Sequence, residues 1–480
     1  MAVHSYPTEK ITIDCKSFPP RTNCLQPLTY TIQLIRGRYS LAIFTRRRIQ
    51  GMLNDLSPLL DSQKRSDLVG RLNNKRVEQA LPAEMELALT WAMKDLDYVE
   101  IEPEWWVNGK EPDVYVEGLV TGRPAIVEIA STNDNSISGE PLMDKCSQQI
   151  IEYANSVKRG FGYYLYFSFA ETKEYKNGRS IRGIAAPKGF MLSDSAKTII
   201  KSWTLSDVSP PPLLKIEDRG LDVTVEKREY KQVRYHNFWT TRPPRTYSET
   251  ENPIYNILRE KLSQVEDAPF GTCRIIFLAE VGSRTLDEMG QPHRNNFESN
   301  ATAEKIIRRF MADKRNRVDA VVVFLPIKKH RGNLQNIIRS WKSIIFKNGD
   351  VPGLEDSISY ITERLPLPRF TGSQARSLFR QGAFSHEAHG WYLGTSMTSI
   401  NDEITYRISS RVILDFLAGR ITEKQLRYFI GERDDGPSIS RFLDRGFTVG
   451  DISFEKGGVD EDDDLILLHF SKDPAAHPFE

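Results

Sequence analysis

Three neighbouring pieces of sequence decide the fold: LPAEMELALTWAMKDL (81–96), PDVYVEG (112–118) and PAIVEIAS (124–131). The first piece has Pro82 at a favoured first-turn position and glutamates near its start, which predicts a helix. The second and third are rich in β-branched and apolar residues and are separated by a short turn, which predicts a hairpin. With an additional strand predicted over 96–107, the order is one helix followed by three strands.

The length and composition indicate a folded protein with more than one core. At 480 residues the chain exceeds the size of one compact domain, so two or three domains are expected. Hydrophobic residues make up 39% of the chain and aromatic residues 10%, which is enough for globular folding. The formal net charge is only +1, so any affinity for nucleic acid has to come from a local basic surface.

The cysteines and the N-terminal sequence predict a cytoplasmic location. The four cysteines (Cys15, Cys24, Cys146 and Cys273) form neither a C-x-x-C pair nor a zinc-binding spacing, which favours packed, reduced thiols. The first ten residues lack the apolar stretch of a signal peptide, and no window approaches 18 uninterrupted apolar residues. We therefore expect no association with a membrane.

Two acids stand inside or beside otherwise apolar strands. Asp113 opens the second strand and Glu128 lies in the middle of the third. An ionised carboxylate in such a place is costly unless it is paired or binds a metal ion. Carboxylates suit Mg²⁺ or Mn²⁺, and a convergent set of them can hold such an ion at a phosphodiester.

The pattern Pro112-Asp113 followed by Glu128 resembles the PD-(D/E)xK nuclease superfamily, although Ala130 stands where its E-x-K lysine belongs. The stretch 80–330 is similar to bacterial restriction-endonuclease-like proteins that lack this lysine and carry a K-x-x-Q helix after an insertion. The resemblance implies an α/β fold with a restriction-endonuclease-like core: helix, three strands, helix, strand. It also implies Mg²⁺-dependent hydrolysis of DNA, in a restriction or phage-defence setting.

The resemblance also implies roles for individual residues. Asp113, Glu128 and a glutamate of the first helix would bind Mg²⁺ or Mn²⁺; Glu86, followed by leucine, fits better than Glu84. Two helices could supply the missing lysine. Lys261 shares a face with Gln264 on the helix over 252–266, and Lys145 shares one with Gln149 and Tyr153. We prefer Lys261, because its helix leads into the apolar strand CRIIFLAEV (273–281).

The wider organisation follows from changes of pattern along the chain. We expect an N-terminal extension over 1–78, a restriction-endonuclease-like domain over 79–345 with an insertion at about 131–250, and a mostly helical C-terminal domain over 346–480. The runs Arg46-Arg47-Arg48 and 460–464, the second entirely acidic, are typical of solvated surfaces. DNA contact by the arginine run is the alternative.

One segment combines cations with aromatic residues in the way a nucleic-acid contact does. Between 227 and 247 the basic residues are Lys227, Arg228, Lys231, Arg234, Arg242 and Arg245. Cations bind phosphates and aromatic faces stack on exposed bases. Ordinary surface charge at a strand edge is the alternative interpretation of this segment.

Two functions therefore remain open from the sequence. The first is a metal-dependent nuclease acting on DNA; the second, favoured by Ala130, is a catalytically inactive nuclease-fold module that serves as a DNA- or protein-binding platform. DNA is the expected partner of the nuclease, and DNA or a protein that of the platform; a homodimer or a larger complex is compatible with either. A structural interaction protein without nucleic-acid binding is a third, weaker hypothesis.

Overall fold

The computed structural model shows a mixed α/β protein. It describes the chain from residue 43 to residue 473, except residues 75, 104–111, 177–178, 209–210, 242–245, 290–300, 316, 331–336, 385–391, 393–394, 401–402 and 432–438. The chain divides into Met1–Arg36 and Gly37–Glu480, and all that follows concerns the second unit.

The described residues form fourteen α-helices and sixteen strands. The helices are α1 (Arg46–Leu56), α2 (Ser62–Leu72), α3 (Val77–Met93), α4 (Asn135–Ser138), α5 (Glu140–Val157), α6 (Asp194–Thr204), α7 (Pro253–Val265), α8 (Arg284–Glu288), α9 (Ala303–Asp313), α10 (Leu354–Arg364), α11 (Gly372–Phe384), α12 (Ser410–Leu417), α13 (Glu423–Phe429) and α14 (Ile439–Asp444). Short 3-10 helices cover Ser57–Leu59 and Phe161–Tyr164.

The strands are β1 (Tyr98–Ile101), β2 (Val114–Val120), β3 (Arg123–Thr132), β4 (Leu165–Phe169), β5 (Glu171–Lys176), β6 (Arg179–Ile184), β7 (Leu214–Asp218), β8 (Leu221–Lys227), β9 (Phe238–Thr240), β10 (Cys273–Glu280), β11 (Ala320–His330), β12 (Ile337–Lys347), β13 (Ser396–Ile400), β14 (Glu403–Ser409), β15 (Phe447–Glu455) and β16 (Leu465–Lys472).

A six-stranded sheet forms the centre of the molecule, in the order β1-β2-β3-β10-β11-β12. β2 runs antiparallel to both β1 and β3, and the turn between β2 and β3 is short. β3, β10 and β11 are parallel neighbours, and β12 returns antiparallel to β11. The chain thus reaches β10 from β3 only after the whole insertion, and α7 leads it back to the sheet.

Helices cover both faces of this sheet, because its central strands are apolar on both sides. On one face, alternate residues such as Val127, Phe277 and Phe324 pack against α1, α2, α3, α10 and α11. On the other face, the intervening residues such as Ile126 and Ile276 pack against α7 and α9. Glu128 is two residues from Ile126, so its side chain belongs to the face that α7 covers.

The predicted insertion has a separate core. The strands β7-β8-β4-β9 form a four-stranded sheet, and α5 and α6 pack on it around Phe167, Ile150 and Ile200. The strands β5 and β6 form a two-stranded hairpin. Cys146 is buried in this core and Cys273 in the central sheet, and both are free thiols; Cys15 and Cys24 lie outside the described residues.

The predicted division of the chain ends needs correction. Among the described residues of 346–473, β13-β14-β16-β15 form a sheet with its own small core, so this part of the chain is not mostly helical. The part of this region that contains α10 and α11 packs instead into the core of the central sheet, as do α1 and α2 from the predicted N-terminal extension. Apolar side chains such as Leu53 and Ile358 explain this, since each helix buries an apolar stripe.

The basic and acidic runs contact each other and are not simply solvated. Arg47 pairs with Asp464 at 2.9 Å and Arg48 with Asp460 at 2.7 Å. Asp462, which is 2% exposed, accepts a hydrogen bond from the Arg46 backbone N–H at 2.6 Å. The two runs therefore join the start of α1 to the segment between β15 and β16.

In the part of the chain that the structure describes, no helix has both the length and the apolar character needed to cross a bilayer.

Candidate functional site

Asp113 and Glu128 lie opposite each other on neighbouring antiparallel strands. Val114 pairs with Val127, so Asp113, the residue before Val114, lies beside Glu128, the residue after Val127. The backbone N–H of Asp113 donates to Glu128 Oε1 at 3.1 Å, and the backbone N–H of Ile129 donates to Asp113 Oδ2 at 2.6 Å. The hairpin thus holds both carboxylates on one side of the sheet.

Lys261 on α7 contacts both carboxylates. Its Nζ lies 3.2 Å from Asp113 Oδ2 and 2.6 Å from Glu128 Oε2. Because both oxygens lie within bonding distance of one nitrogen, they are close enough to share one cation. This is the arrangement expected for a lysine that comes from a helix rather than from the third strand.

The local sequence explains how α7 brings Lys261 to this position. The side chain of Asn252 caps the helix by accepting the Tyr255 N–H at 2.8 Å, and Pro253 occupies the first turn. Leu258 and Leu262, one turn apart, are buried in the same core as Ala130. The helix therefore packs on β3 with its apolar stripe and carries Lys261 to the edge of that interface.

The three side chains differ in their access to solvent, and this sets their electrostatics. Glu128 is fully buried, whereas the side chains of Lys261 and Asp113 are 18% and 19% exposed. Burial and the charge of Asp113 raise the pKa of Glu128 to about 9, against the opposing effect of Lys261. Although burial opposes it, the two carboxylates raise the pKa of Lys261 above its ordinary value, so the ammonium is retained.

Glu86 lies near this cluster and is held by an arginine. Arg71 on α2 donates to both oxygens of Glu86, with Nη2 at 2.6 Å from Oε1. Burial and the charge of Asp113 raise the pKa of Glu86, whereas Arg71 and Lys261 lower it. The sequence did not indicate Arg71, because it stands in a segment that carries no motif.

Glu102 is a further acid near this cluster, and no motif in the sequence indicates it. Its φ of 47° lies in the left-handed region, which is uncommon for a residue with a side chain. Burial and the charge of Glu86 raise its pKa, and Lys64 donates to its backbone carbonyl at 2.7 Å. Because the backbone N–H of Glu102 donates to the Asp113 carbonyl oxygen at 2.9 Å, Glu102 lies at the margin of the same acidic cluster.

Glu84 does not belong to the site, which corrects its inclusion among the expected metal ligands. It is fully buried and its Oε2 accepts the backbone N–H groups of Ile43 and Phe44 at 2.8 and 3.0 Å. Its position two residues from Glu86 turns it away from that residue, since a helix rotates about 200° over two residues. Glu84 therefore fixes the chain before α1.

The alternative lysine is not at the site either. Lys145 is exposed on α5, and within the described residues it makes no bond to Asp113 or Glu128. Gln149 on the same helix donates to the Phe190 carbonyl at 2.6 Å and accepts the Leu192 N–H at 3.2 Å. The predicted face of α5, including Tyr153, thus serves the core of the insertion.

Gln264 lies one turn after Lys261 and is partly buried. Its side-chain amide makes no hydrogen bond to any of the residues that the structure describes, so its donors and acceptor are available to a bound molecule. The structure thus brings Asp113, Glu128 and Lys261 into direct contact and leaves Glu86 and Gln264 near them.

The donor set has the chemistry of a divalent-cation site. Asp113 and Glu128 offer carboxylate oxygens that already converge on one positive charge, and oxygen ligands are those that Mg²⁺ and Mn²⁺ prefer. Among the described residues, however, no group of three His, Cys, Asp or Glu side chains is arranged around a common metal position. Glu86 would be the third acid, but both of its oxygens are bonded to Arg71. A metal site built from the present geometry therefore has two protein carboxylates, those of Asp113 and Glu128.

The basic residues between 227 and 247 differ in their surroundings. Arg234 pairs with the buried Asp144, with Nη2 at 2.6 Å from Oδ2, and Arg228 lies over the Tyr166 ring at 3.4 Å from its centroid. These two arginines therefore have intramolecular partners. Lys227 and Lys231 line an open groove on the insertion. Arg242 and Arg245 lie outside the described residues.

Comparison with known proteins adds no relative: no family model, no curated protein and no solved structure matches the chain.

Proposed function

We propose that this chain is a metal-dependent nuclease of PD-(D/E)xK type whose lysine is supplied by α7 instead of the third strand. The observation that carries the proposal is the contact of one ammonium, that of Lys261, with both Asp113 and Glu128. The order α3, β1, β2, β3, α7, β10 around a mixed sheet supports a restriction-endonuclease-like core.

Asp113 and Glu128 would hold Mg²⁺ or Mn²⁺. When bound there, the ion would polarise the scissile phosphate and lower the pKa of the attacking water. Glu128 has to be deprotonated to bind a metal, so its raised pKa makes metal binding dependent on pH. The backbone N–H of Ile129, which donates to Asp113 Oδ2 at 2.6 Å, fixes the position of the Asp113 carboxylate beside β3.

Lys261 would stabilise the negative charge that develops on the phosphate. Its chain approaches from α7, and its ammonium must leave at least one of the two carboxylates to reach a phosphate oxygen or a water molecule. Gln264, one turn further along the helix, can orient the same group through its free amide. Glu86, both oxygens of which are bonded to Arg71, would contribute negative charge near Asp113 without being a metal ligand.

Cleavage assays with matched variants test this function. The substrates are supercoiled plasmid, linear duplex, single-stranded DNA and RNA, each with Mg²⁺, Mn²⁺ or chelator. Asp113→Asn, Glu128→Gln and Lys261→Met should each lower the cleavage rate by about 10³-fold, which corresponds to several kcal/mol of lost transition-state stabilisation. Glu117→Gln, at an exposed acid on β2, should retain full activity.

Metal-dependent cleavage that persists in the Asp113→Asn, Glu128→Gln double variant would overturn the assignment. A loss of activity in Glu117→Gln equal to that in Asp113→Asn would also contradict it, because the effect would then not depend on the site. A role in restriction or phage defence rests only on the resemblance of the sequence and is tested by the efficiency of phage plating in cells that express these variants.

A second candidate function is a catalytically inactive platform for DNA or protein. The observation in its favour is that Lys261 already satisfies both carboxylates, while Ala130 leaves β3 without the expected lysine. In that case the three side chains would form a structural ion pair. Calorimetric titration with Mn²⁺ separates the two functions: binding that disappears in Asp113→Asn supports the nuclease, and no binding supports the platform.

A further inference from the structure

A groove on the insertion combines unpaired cations with aromatic rings. It has a volume of about 610 Å³, and its lining includes Lys158, Arg159, Phe161, Tyr163, Lys227 and Lys231. We call it the basic groove. It runs between the end of α5, the 3-10 turn at Phe161–Tyr164 and the chain after β8. Only Lys227 and Lys231 belong to the basic segment that the sequence indicated.

The charge of the basic groove is uncompensated. Its lining includes four cations and no acid, and none of the four forms an ion pair within the described part of the chain. By contrast, the arginines that line a cavity of about 340 Å³ beside α11 are paired with acids: Arg376 with Glu78 and Arg380 with Glu140. Cations that are left without carboxylates around a concave surface attract a polyanion.

The aromatic residues are arranged in two levels. Phe161 is buried beneath the cations, with the ammonium groups of Lys158 and Lys227 at 5.8 and 5.6 Å from its ring centroid. Tyr163 is 55% exposed at the surface. The lysines are thus kept near the floor of the groove by cation–π contacts, while a tyrosine face remains open to a ligand.

Glycines make this arrangement sterically accessible. Gly160 has a φ of 82°, in the left-handed region that side chains rarely adopt. At Gly162 a Cβ would lie 2.4 Å from the Ile151 carbonyl oxygen, so the 3-10 turn can pack against α5 only without a side chain there. The Gly162 N–H also donates to Asn155 Oδ1 at 2.8 Å. This close packing presents Tyr163 outward from a rigid turn.

We propose that the basic groove binds single-stranded nucleic acid. Four cations match the phosphates of a few successive nucleotides, and the exposed face of Tyr163 can stack only on a base that is not already stacked in a duplex. A duplex would offer its phosphates to the lysines but would leave Tyr163 without a base. This binding requires no metal and no cleavage, so it is independent of the function proposed for Asp113 and Glu128.

The test measures binding by fluorescence anisotropy in chelator, with a labelled oligothymidine of about 12 nucleotides and a duplex of equal length. For the single strand, four phosphate contacts predict a slope of log K against log salt of about −3, and Arg159→Ala, Lys231→Ala should reduce it to roughly −1.5. Lys188→Ala, Lys201→Ala removes the same charge from exposed positions of the insertion outside the groove and should leave the slope unchanged.

The aromatic contribution is tested at Tyr163. Tyr163→Ala should weaken binding of the single strand about tenfold without changing the salt slope, whereas Tyr163→Phe should bind like the unmodified chain. Duplex binding should be weaker and insensitive to Tyr163→Ala. Equal affinity for both forms together with no effect of Tyr163→Ala would overturn the proposal, as would equal losses in the groove and control double variants.

The outcomes for the two proposals are distinguishable. If the nuclease assignment fails, either the unmodified chain does not cleave or cleavage persists in the Asp113→Asn, Glu128→Gln double variant, but salt-dependent binding in chelator remains. If the basic groove fails, the oligothymidine does not bind in chelator, while cleavage still depends on Asp113 and Glu128. Circular dichroism spectra of the groove variants should match that of the unmodified chain, because Arg159, Tyr163 and Lys231 are exposed.

Discussion

Replacing Lys261 with methionine tests the central feature of the site, the sharing of one ammonium by two carboxylates. Methionine keeps the length of the side chain and its packing on α7 but removes the positive charge. The two bonds of Nζ, at 3.2 and 2.6 Å, are lost. Glu128 then remains fully buried without its cation, and Asp113 remains 19% exposed.

The cost can be estimated from these contacts. Removing one partner of a buried ion pair costs about 3–5 kcal/mol, because the other charge is left uncompensated. Two effects reduce this figure: solvent screens Asp113, and Glu128, with a pKa already raised to about 9, can take up a proton. We therefore expect Lys261→Met to lower the free energy of unfolding by about 2–3 kcal/mol near pH 9.

The pH dependence of this loss has a definite sign. Without Lys261 the pKa of Glu128 rises further, so the native variant binds more protons than the native unmodified chain around pH 9. The stability difference between the two proteins must then grow as the pH rises through that range and shrink towards pH 6, where Glu128 is protonated in both.

Urea and thermal unfolding, followed at several pH values, measure the loss, with Lys145→Met as the matched control. Lys145 is exposed and makes no bond to Asp113 or Glu128 within the described residues, so its substitution should change stability by less than about 0.5 kcal/mol. Adding Mn²⁺ at about 100 times its Kd should stabilise Lys261→Met by about 2.7 kcal/mol, since the ion replaces the lost charge. A Lys261→Met variant as stable as Lys145→Met, and unaffected by Mn²⁺, would refute the reasoning.

Three further predictions follow from single contacts. Because protons compete with the metal for Glu128, Mn²⁺ affinity should rise by up to about tenfold per pH unit below pH 9 and level off above it; calorimetry should show a flat profile for Glu128→Gln. Glu84→Ala leaves two buried N–H groups without an acceptor and should cost about 2–4 kcal/mol in urea unfolding, while the cleavage rate per folded molecule stays unchanged. Arg369 forms an ion pair with Asp462, whose side chain is 2% exposed, so Arg369→Met should cost about 3 kcal/mol. Arg47→Met removes the partner of Asp464, in a pair whose side chains are 35% and 38% exposed, and should cost less than about 1 kcal/mol in the same thermal assay.

The surroundings of the site could be predicted only where the relevant information is local. The apolar runs of β3 and β10 and the capped start of α7 depend on neighbouring residues, so the sequence indicated these elements and the helix that carries Lys261. The choice between Glu84 and Glu86 depended on contacts with α2 and with residues 43–44, more than ten positions away. No periodicity contains that information.

The same distinction explains the errors at the chain ends and on the insertion. The sequence of 346–480 shows helical patterns, but two of its helices are built into the core of the central sheet because that core had uncovered apolar surface. The cations of the insertion looked equivalent in sequence, yet Arg234 meets the buried Asp144, 90 positions away, while Lys227 faces the basic groove. Pairing of charges is decided by which side chains the fold brings within a few ångströms.

By itself, the sequence determined the α/β class, the hairpin that carries Asp113 and Glu128, and the absence of a lysine two residues after Glu128, because backbone alternation and local turn chemistry are properties of short segments. Only the tertiary structure decided that Lys261 occupies the space between those carboxylates, that Arg71 restrains Glu86, and that the acidic run binds the arginine run. These contacts join residues 15 to 417 positions apart, and their partners are selected by packing of the helices on the sheet, which depends on the whole chain at once.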